Sequence, residues 1–329
     1  MNAAAILGLG KDLGQRFTLV DLLPSALLGL FVLALVWGGA PGDPPDLDRF
    51  VAHVEDLSGV EAALLALALV GFALVTQPLQ LGLVRLMEGY WGMTSAADAL
   101  AGWSRGRHAR QREKLAARQL TTAVDSDHNP ASRAQRSYAA WALSRRYPPA
   151  PLVMPTRLGN ALRAAEDRAG RRYGLDTIAA WPRLYPLLSE RVAALVDDQR
   201  TQIDIAARFT AVLLGATAAS AALLITHGWW LLVPVATLAL AWLSYRGACS
   251  AALSYGDGLE AAFDLHRLDL RTSLHLAMPR TLKEERALNQ ELSKFLLQPF
   301  AGRRFTYEHP GENHGEPAKA PPAEVPPST

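Results

Sequence analysis

The chain has 329 residues, 50% hydrophobic and 19% charged, with a formal net charge of +2. So many charges exclude a bare bundle of membrane spans, and so much apolar side chain excludes a disordered polypeptide. Cys249 is the only cysteine, which excludes an intrachain disulfide and a cysteine-based zinc site. Arginine outnumbers lysine 28 to 5 and Ala and Leu are abundant, a bias of GC-rich bacterial genomes that says nothing about activity.

After a short N-terminal segment, 1–21, the stretch from Leu22 to Ala40, "LLPSALLGLFVLALVWGGA", runs 19 residues without a charge. It is longer than a secretory apolar core and begins 21 residues into the chain, so it predicts an uncleaved transmembrane helix. The 41–60 loop follows, with five carboxylates against Arg49 as its one base. Its Asp43, Asp46, Asp48, His53, Glu55 and Asp56 lack the ordered spacing of a calcium loop, so no metal site is expected. From Ala62 to Val84 a second uncharged run of 23 residues completes a hairpin over 22–86. Near its end Pro78 removes a helix hydrogen bond beside Thr76, Gln77 and Gln80. These four are a candidate polar kink inside the membrane, serving helix packing or lining a pore.

Residues 87–208 read as helices separated by turns. "SRGRHARQREKLAARQLTTAV" and "ASRAQRSYAAWALSRRY" flank the turn cluster "DSDHNP", which predicts an antiparallel pair ended by "PPAP". Arg105, Arg107, Arg110, Arg112, Lys114 and Arg118 make a candidate surface for anionic lipid or a protein partner; a solvated helix face is the plainer account. Nucleic-acid binding is not expected, because no recognition motif accompanies the arginines and Glu113 interrupts them.

In "MPTRLGNALRAAEDRAGRRYGLD", Thr156 is the expected N-cap and Leu158, Ala161, Leu162 and Ala165 form one apolar side. Gly170 is the expected stop, Arg163–Asp167 and Asp167–Arg171 are expected pairs, and Asp176 caps a short helix interrupted by Pro182. The consecutive carboxylates Glu166–Asp167 and Asp197–Asp198 point about 100° apart on a helix, a poor arrangement for acid–base work on one atom. From Ser189 to Ile225 a single helix about 55 Å long is predicted, with a seam of Val192, Val196, Gln199, Ile203, Ala206 and Thr210. It leads into 37 uncharged residues, Phe209 to Tyr245, long enough for a second hairpin over 209–246 that turns at Thr226, His227 and Gly228.

Past Arg246 a helical tail, 247–305, is expected, with an apolar line of Leu259, Phe263, Arg267, Leu270 and Leu274. Thr281 and Glu284 suit a capping box for its last helix, and 306–329 reads as disordered. Cys249 is read as a small packing residue, with lipidation as the competing role. His266, with Asp264 and Asp269 nearby, is read as a hydrogen-bonded histidine rather than a metal ligand.

The 85–208 stretch holds 20 Lys and Arg, and the chain from Arg246 holds ten. The positive-inside rule then sets the acidic loop outside and both termini in the cytoplasm of a plasma-membrane protein. No nucleotide-binding loop, zinc-protease helix or nucleophile elbow occurs, and no cofactor is implied. The segments "QPLQLGLVRLMEGYWG", "PTRLGNALRAAEDRAGRRYGLD" and "FDLHR" resemble those of a group of uncharacterised multi-pass membrane proteins of actinobacteria. That resemblance covers most of the chain outside the terminal tail. It implies the architecture and carries no activity, cofactor or binding residue.

The expected fold is therefore an all-α integral membrane protein, two transmembrane helical hairpins with a helical cytoplasmic domain inserted between them. The expected function is non-enzymatic: recruitment, scaffolding or signal coupling through a protein partner or self-association along the membrane and long-helix segments. An oligomeric channel or translocation component is the alternative. A membrane-interface enzyme comes third, with Glu88, Asp98 and His108 as its only nearby acid–base groups.

Overall fold

The computed structural model describes residues 23–92, 94–125, 130–298 and 307. The expected N-terminal segment 1–21, the turn residues 126–129 and, apart from Tyr307, the expected tail 306–329 lie outside it. Among the described residues ten α-helices follow one another: α1 (Leu23–Trp37), α2 (Leu47–Glu55), α3 (Gly59–Glu88), α4 (Ser95–Asp125) and α5 (Pro130–Arg146). Then come α6 (Arg157–Arg171), α7 (Thr177–Leu184), α8 (Glu190–Leu224), α9 (Leu232–Ser273) and α10 (Leu282–Leu297). The extended residue Tyr307 meets Leu276 in an isolated bridge.

Side-chain caps set many of the ends. Ser58 and Glu61 form a reciprocal capping box that starts α3 at Gly59, three residues before the expected Ala62, and Gly89 closes it in the left-handed conformation. Thr156, Asp176 and Thr281 accept the backbone N–H groups of Gly159, Ala179 and Glu284, as their sequence positions predict. Ser189 occupies the N-cap of α8 without donating or accepting a capping bond through its side chain. The acidic 41–60 loop is more ordered than expected: Asp46 caps α2 there, and His53 stacks on Trp37 at 5.9 Å. Pro182 sits inside α7, whose last turn passes directly into a 3-10 turn at Tyr185–Leu187.

α8 and α9 form the spine. At about 1.5 Å per residue their 35 and 42 residues make rods about 50 and 60 Å long. They fold back on each other at the expected 226–228 turn. Contacts run from Leu224 against Val233, through Thr217–Thr237 at 2.9 Å and the Ser244 hydroxyl to the Ala206 carbonyl, to the Ser189 N–H on His266 Nε2. As one residue number falls the other rises almost equally, so the register holds along nearly the whole length. The seam residues Val196, Ile203 and Thr210 are buried in this pairing. The Gln199 side-chain amide of α8 lies over Gly258 of α9, its Oε1 2.1 Å from where a Cβ would stand, so a side chain there would displace Gln199.

Three helical stretches, Gly59–Glu88, Glu190–Leu224 and Gly228–Ser273, are long and apolar enough to cross a membrane. Only 6% of the apolar window in α3 is buried within the chain. A continuous apolar surface of that size without a protein partner points to membrane association. α1 is shorter, 15 residues or about 22 Å, and packs on α3 and α8. Leu28 lies against Gly215 of α8, and Gly29 against Leu69 and Phe72 of α3.

At the other end of the spine, α6 lies across α9 and touches the end of α3. Leu158, Ala161 and Leu162, all on the apolar side read from the sequence, pack with Ile203, Ala248 and Ala252. A Cβ on Gly159 would meet the Glu88 carbonyl oxygen at 2.0 Å, so only glycine lets α6 sit on the last turn of α3. Farther along, Leu175, Leu184, Leu259, Phe263, Leu270 and Leu292 close a second core between α7, α9 and α10. α4 and α5 pair as expected, with the Tyr147 hydroxyl donating to Gln111 and Arg112 Nε to the Pro148 carbonyl.

Two local expectations need correction. Gly170 does not stop α6; the left-handed residue is Gly174, with φ +77°, where the Gly174 and Leu175 N–H groups close onto the Arg171 and Gly170 carbonyls. Gly170 stays within the helix, and its missing Cβ leaves room for the Leu175 carbonyl oxygen, which a Cβ would meet at 2.4 Å. Arg163 pairs with Glu166, one turn position short of Asp167, while Asp167 does pair with Arg171.

Candidate functional site

The six basic residues of α4 do not act as one surface. At about 100° per residue, Arg107, Arg110, Lys114 and Arg118 share a face with Leu100 and Trp103, and Arg105 and Arg112 fall nearly opposite. Leu100 and Trp103 are 54% and 61% exposed, so that face mixes apolar and basic side chains. Arg112 is held by the Pro148 carbonyl at 3.0 Å.

Lys114 and Arg118 line a cavity of about 740 Å³ between α4, α5, α6 and α9. Arg146 enters from the end of α5, Arg157 from the first position of α6, and Arg246 from α9. Five cations thus meet around one space, and no carboxylate lines it among the described residues. Several other arginines of the domain pair with carboxylates: Arg145 and Arg168 meet Asp257 and Glu260, Arg200 meets Glu88, and Arg267 meets Glu285. Two of the five cations lie over tryptophan rings, of which Trp242 lines the cavity and Trp141 does not. The guanidinium groups of Arg146 and Arg246 lie 5.2 and 4.8 Å from the ring centres of Trp141 and Trp242.

The floor is built to hold its shape. Asn160, 1% exposed, donates to the Met154 and Thr156 carbonyls and accepts the Met154 N–H, pinning the loop that leads into α6. The Tyr245 hydroxyl accepts the Leu158 N–H at 3.3 Å and ties the first turn of α6 to α9. That turn faces the cavity through Arg157, Asn160 and Ala161, so the positive end of the helix dipole adds to the local field. Cys249 also lines the space; burial pushes its thiol up to about 11, which leaves it neutral and weakly nucleophilic near pH 7.

His108 stands just behind, with its ring 6.1 Å from that of Tyr147. Burial, then the charges of Arg157 and Arg107, hold its imidazole below the ordinary value of 6.5, and its Nδ1 has no hydrogen-bond partner. A folded-state value below the unfolded one means that folding favours the neutral ring. The resulting stability is complete above about pH 6.5 and is lost as pH falls through the folded value. Thermal unfolding in mild detergent should therefore come at lower temperature as pH drops from about 7.5 to about 5. His108→Gln should lose less over the same range; an equal loss would show that His108 is not the group responsible.

Several of the remaining sequence candidates have structural partners. The Thr76 hydroxyl donates back to the Phe72 and Ala73 carbonyls beside Pro78, Gln77 is half-buried, and the Gln80 side chain lies outside the described part. Asp197 accepts the Tyr185 hydroxyl. His266 Nδ1 binds Asp269 at 2.8 Å, and Asp264 accepts the Tyr173 hydroxyl, so the two carboxylates near His266 have separate duties. Asp43 pairs with Arg49. Glu88 pairs with Arg200, whereas Asp98 is exposed in the first turn of α4. No group of three or more His, Cys, Asp or Glu among the described residues is arranged to hold a metal ion.

Arg146, Arg157 and Arg246 were missing from the sequence-derived surface. They come from three different helices, and each carried only a local signal: a helix end, a helix start and the close of an apolar run. Comparison with protein-family models, curated proteins and solved structures finds no match to this chain.

Proposed function

We propose that the chain is a multi-pass protein of the plasma membrane in which two transmembrane hairpins, 22–86 and 209–246, hold a helical cytoplasmic domain. That domain, built from 87–208 and the tail 247–305, recruits or regulates a protein partner and catalyses no reaction itself. One observation carries this reading: α8 and α9 pass unbroken from their apolar stretches into the core of the charged domain, packed together along the way. A joint of that kind has no flexible linker, so tilt or rotation of the hairpin moves the domain as a body. The distribution of Lys and Arg supports the sidedness, with the 41–60 loop outside. The exposed Leu100 and Trp103, continued by Arg107 and Arg110, supply a surface for the partner.

Topology is tested with single cysteines placed in a Cys249→Ala background. A membrane-impermeant maleimide should label Val51→Cys in intact cells and Arg110→Cys only after the cells are opened. The opposite pattern would overturn the arrangement. Recruitment is tested in living cells with a photo-crosslinking amino acid at Leu100 or Trp103. A discrete heavier adduct is expected, and its absence from both positions would remove the recruitment reading.

A further inference from the structure

Residues 308–329 hold six prolines, and four glutamates stand there against Lys319 as the one lysine or arginine. The last described residue before them, Tyr307, is pinned to Leu276 just beyond the end of α9. Proline-rich segments bind as polyproline II helices in grooves walled by aromatic rings. The cavity between α4, α5, α6 and α9 has such walls, in Tyr138, Tyr147, Trp242 and Tyr245. Its rim is open: Tyr138 and Trp242 are 55% and 56% exposed.

Reach and register favour this segment as the occupant. From Leu253, the near edge of the cavity on α9, to Ser273 at the helix end is about 30 Å at about 1.5 Å per residue. From Tyr307 to Pro317 is about 31 Å at the polyproline II rise of about 3.1 Å per residue. The stretch from Pro317 to Pro327 therefore arrives at the cavity and has length enough to cross it. With three residues per turn, Pro321, Glu324 and Pro327 fall on one face, two apolar rings with a carboxylate between them. The cavity lining sets its aromatic rings beside Lys114, Arg157 and Arg246, with no carboxylate among the described residues. Arg118 interacts within the chain and is not needed. An extended segment passes basic groups in turn, so they need not face one point, and their charge adds orientation more than affinity.

We infer that the cavity is the docking groove of the chain's own segment 317–327, laid in as a polyproline II helix with Pro321 and Pro327 against the aromatic rings. Docked there, the segment straps the α4–α5 pair to α9 and closes the cavity to any other ligand. Groove and segment fall on the same side of the proposed hairpins, so the contact stands whether or not that side is the cytoplasm.

Cys249 is the only cysteine and lines the cavity, so its slow reaction with N-ethylmaleimide reports whether the groove is filled. The full-length protein is compared, in dodecyl maltoside, with a chain ending at Tyr307. Removal of 308–329 should speed the reaction about tenfold, as for a tethered segment whose effective concentration, about 1 mM, exceeds its dissociation constant about tenfold. A synthetic peptide of residues 308–329, added at millimolar concentration to the shortened chain, should restore the protection. Pro321→Ala/Pro327→Ala in the full chain should remove most of it. An unchanged rate on removal, a peptide without effect, or a double variant as protected as the parent would overturn the inference. Benzoylphenylalanine in place of Tyr138, on the exposed rim, supplies a second measurement. It should crosslink within the chain to a fragment beyond Tyr307. A crosslink only to a second copy, to lipid or to another part of the chain would show a different occupant and overturn the inference as well.

Discussion

Phe263→Ala is expected to destabilise the helical domain by about 3–5 kcal/mol, among the largest effects of any single substitution in the chain. Phe263 has no exposed surface and its ring stacks 6.2 Å from that of Trp181. It stands where α7 and α10 close on α9, among Leu184, Leu259, Leu270 and Leu292. Removing the ring loses its transfer energy and leaves a void that long helices cannot relax into, because α9 is held in register by α8 along its length. The measurement is denaturation in mild detergent, followed by near-ultraviolet circular dichroism. A loss below about 1.5 kcal/mol would show that this core does not hold the domain together.

Arg267→Leu should cost about 3 kcal/mol for a different reason, the stranding of a charge. Arg267 Nε donates to Glu285 Oε1 at 2.8 Å, and the guanidinium lies 4.0 Å from the centre of the Tyr173 ring. The Glu285 side chain is only 7% exposed, so once its partner is gone the carboxylate has neither water nor a cation to meet it. Replacing both partners, Arg267→Leu with Glu285→Leu, removes the desolvation cost together with the attraction. The double variant should recover most of the lost stability, with strongly non-additive single effects. If the double variant is as unstable as the sum of the two singles, the pair acts through packing and not through charge.

Both sites show how far the sequence could be read. Leu259, Phe263, Arg267, Leu270 and Leu274 share a helix face by spacing alone, so the line was visible, but the sequence reading gave Arg267 no partner. Nothing local named Glu285 as that partner, because α10 returns to α9 only through the turn at 274–281. The stop of α6 shows the same limit. The sequence points to Gly170 as the stop, yet the left-handed residue is Gly174, and the Leu175 carbonyl that sits against Gly170 is placed there only by the folded chain.

The basic surface is the sharpest instance. Six cations close in sequence drew attention to α4, yet the cavity keeps only Lys114 and Arg118 of them and gathers Arg146, Arg157 and Arg246 from three other helices. By itself the sequence determined the helices, many of their caps, the apolar stretches and the turn between α8 and α9. Each of these depends on residues within a turn or two of one another, through side-chain periodicity, local hydrogen bonds and transfer energy. The tertiary structure alone decided which charges pair across helices and which five cations are gathered around one space. Coulomb interaction depends on distance between side chains, and for these five that distance is set by the antiparallel register of the spine and the close seat of α6 upon it.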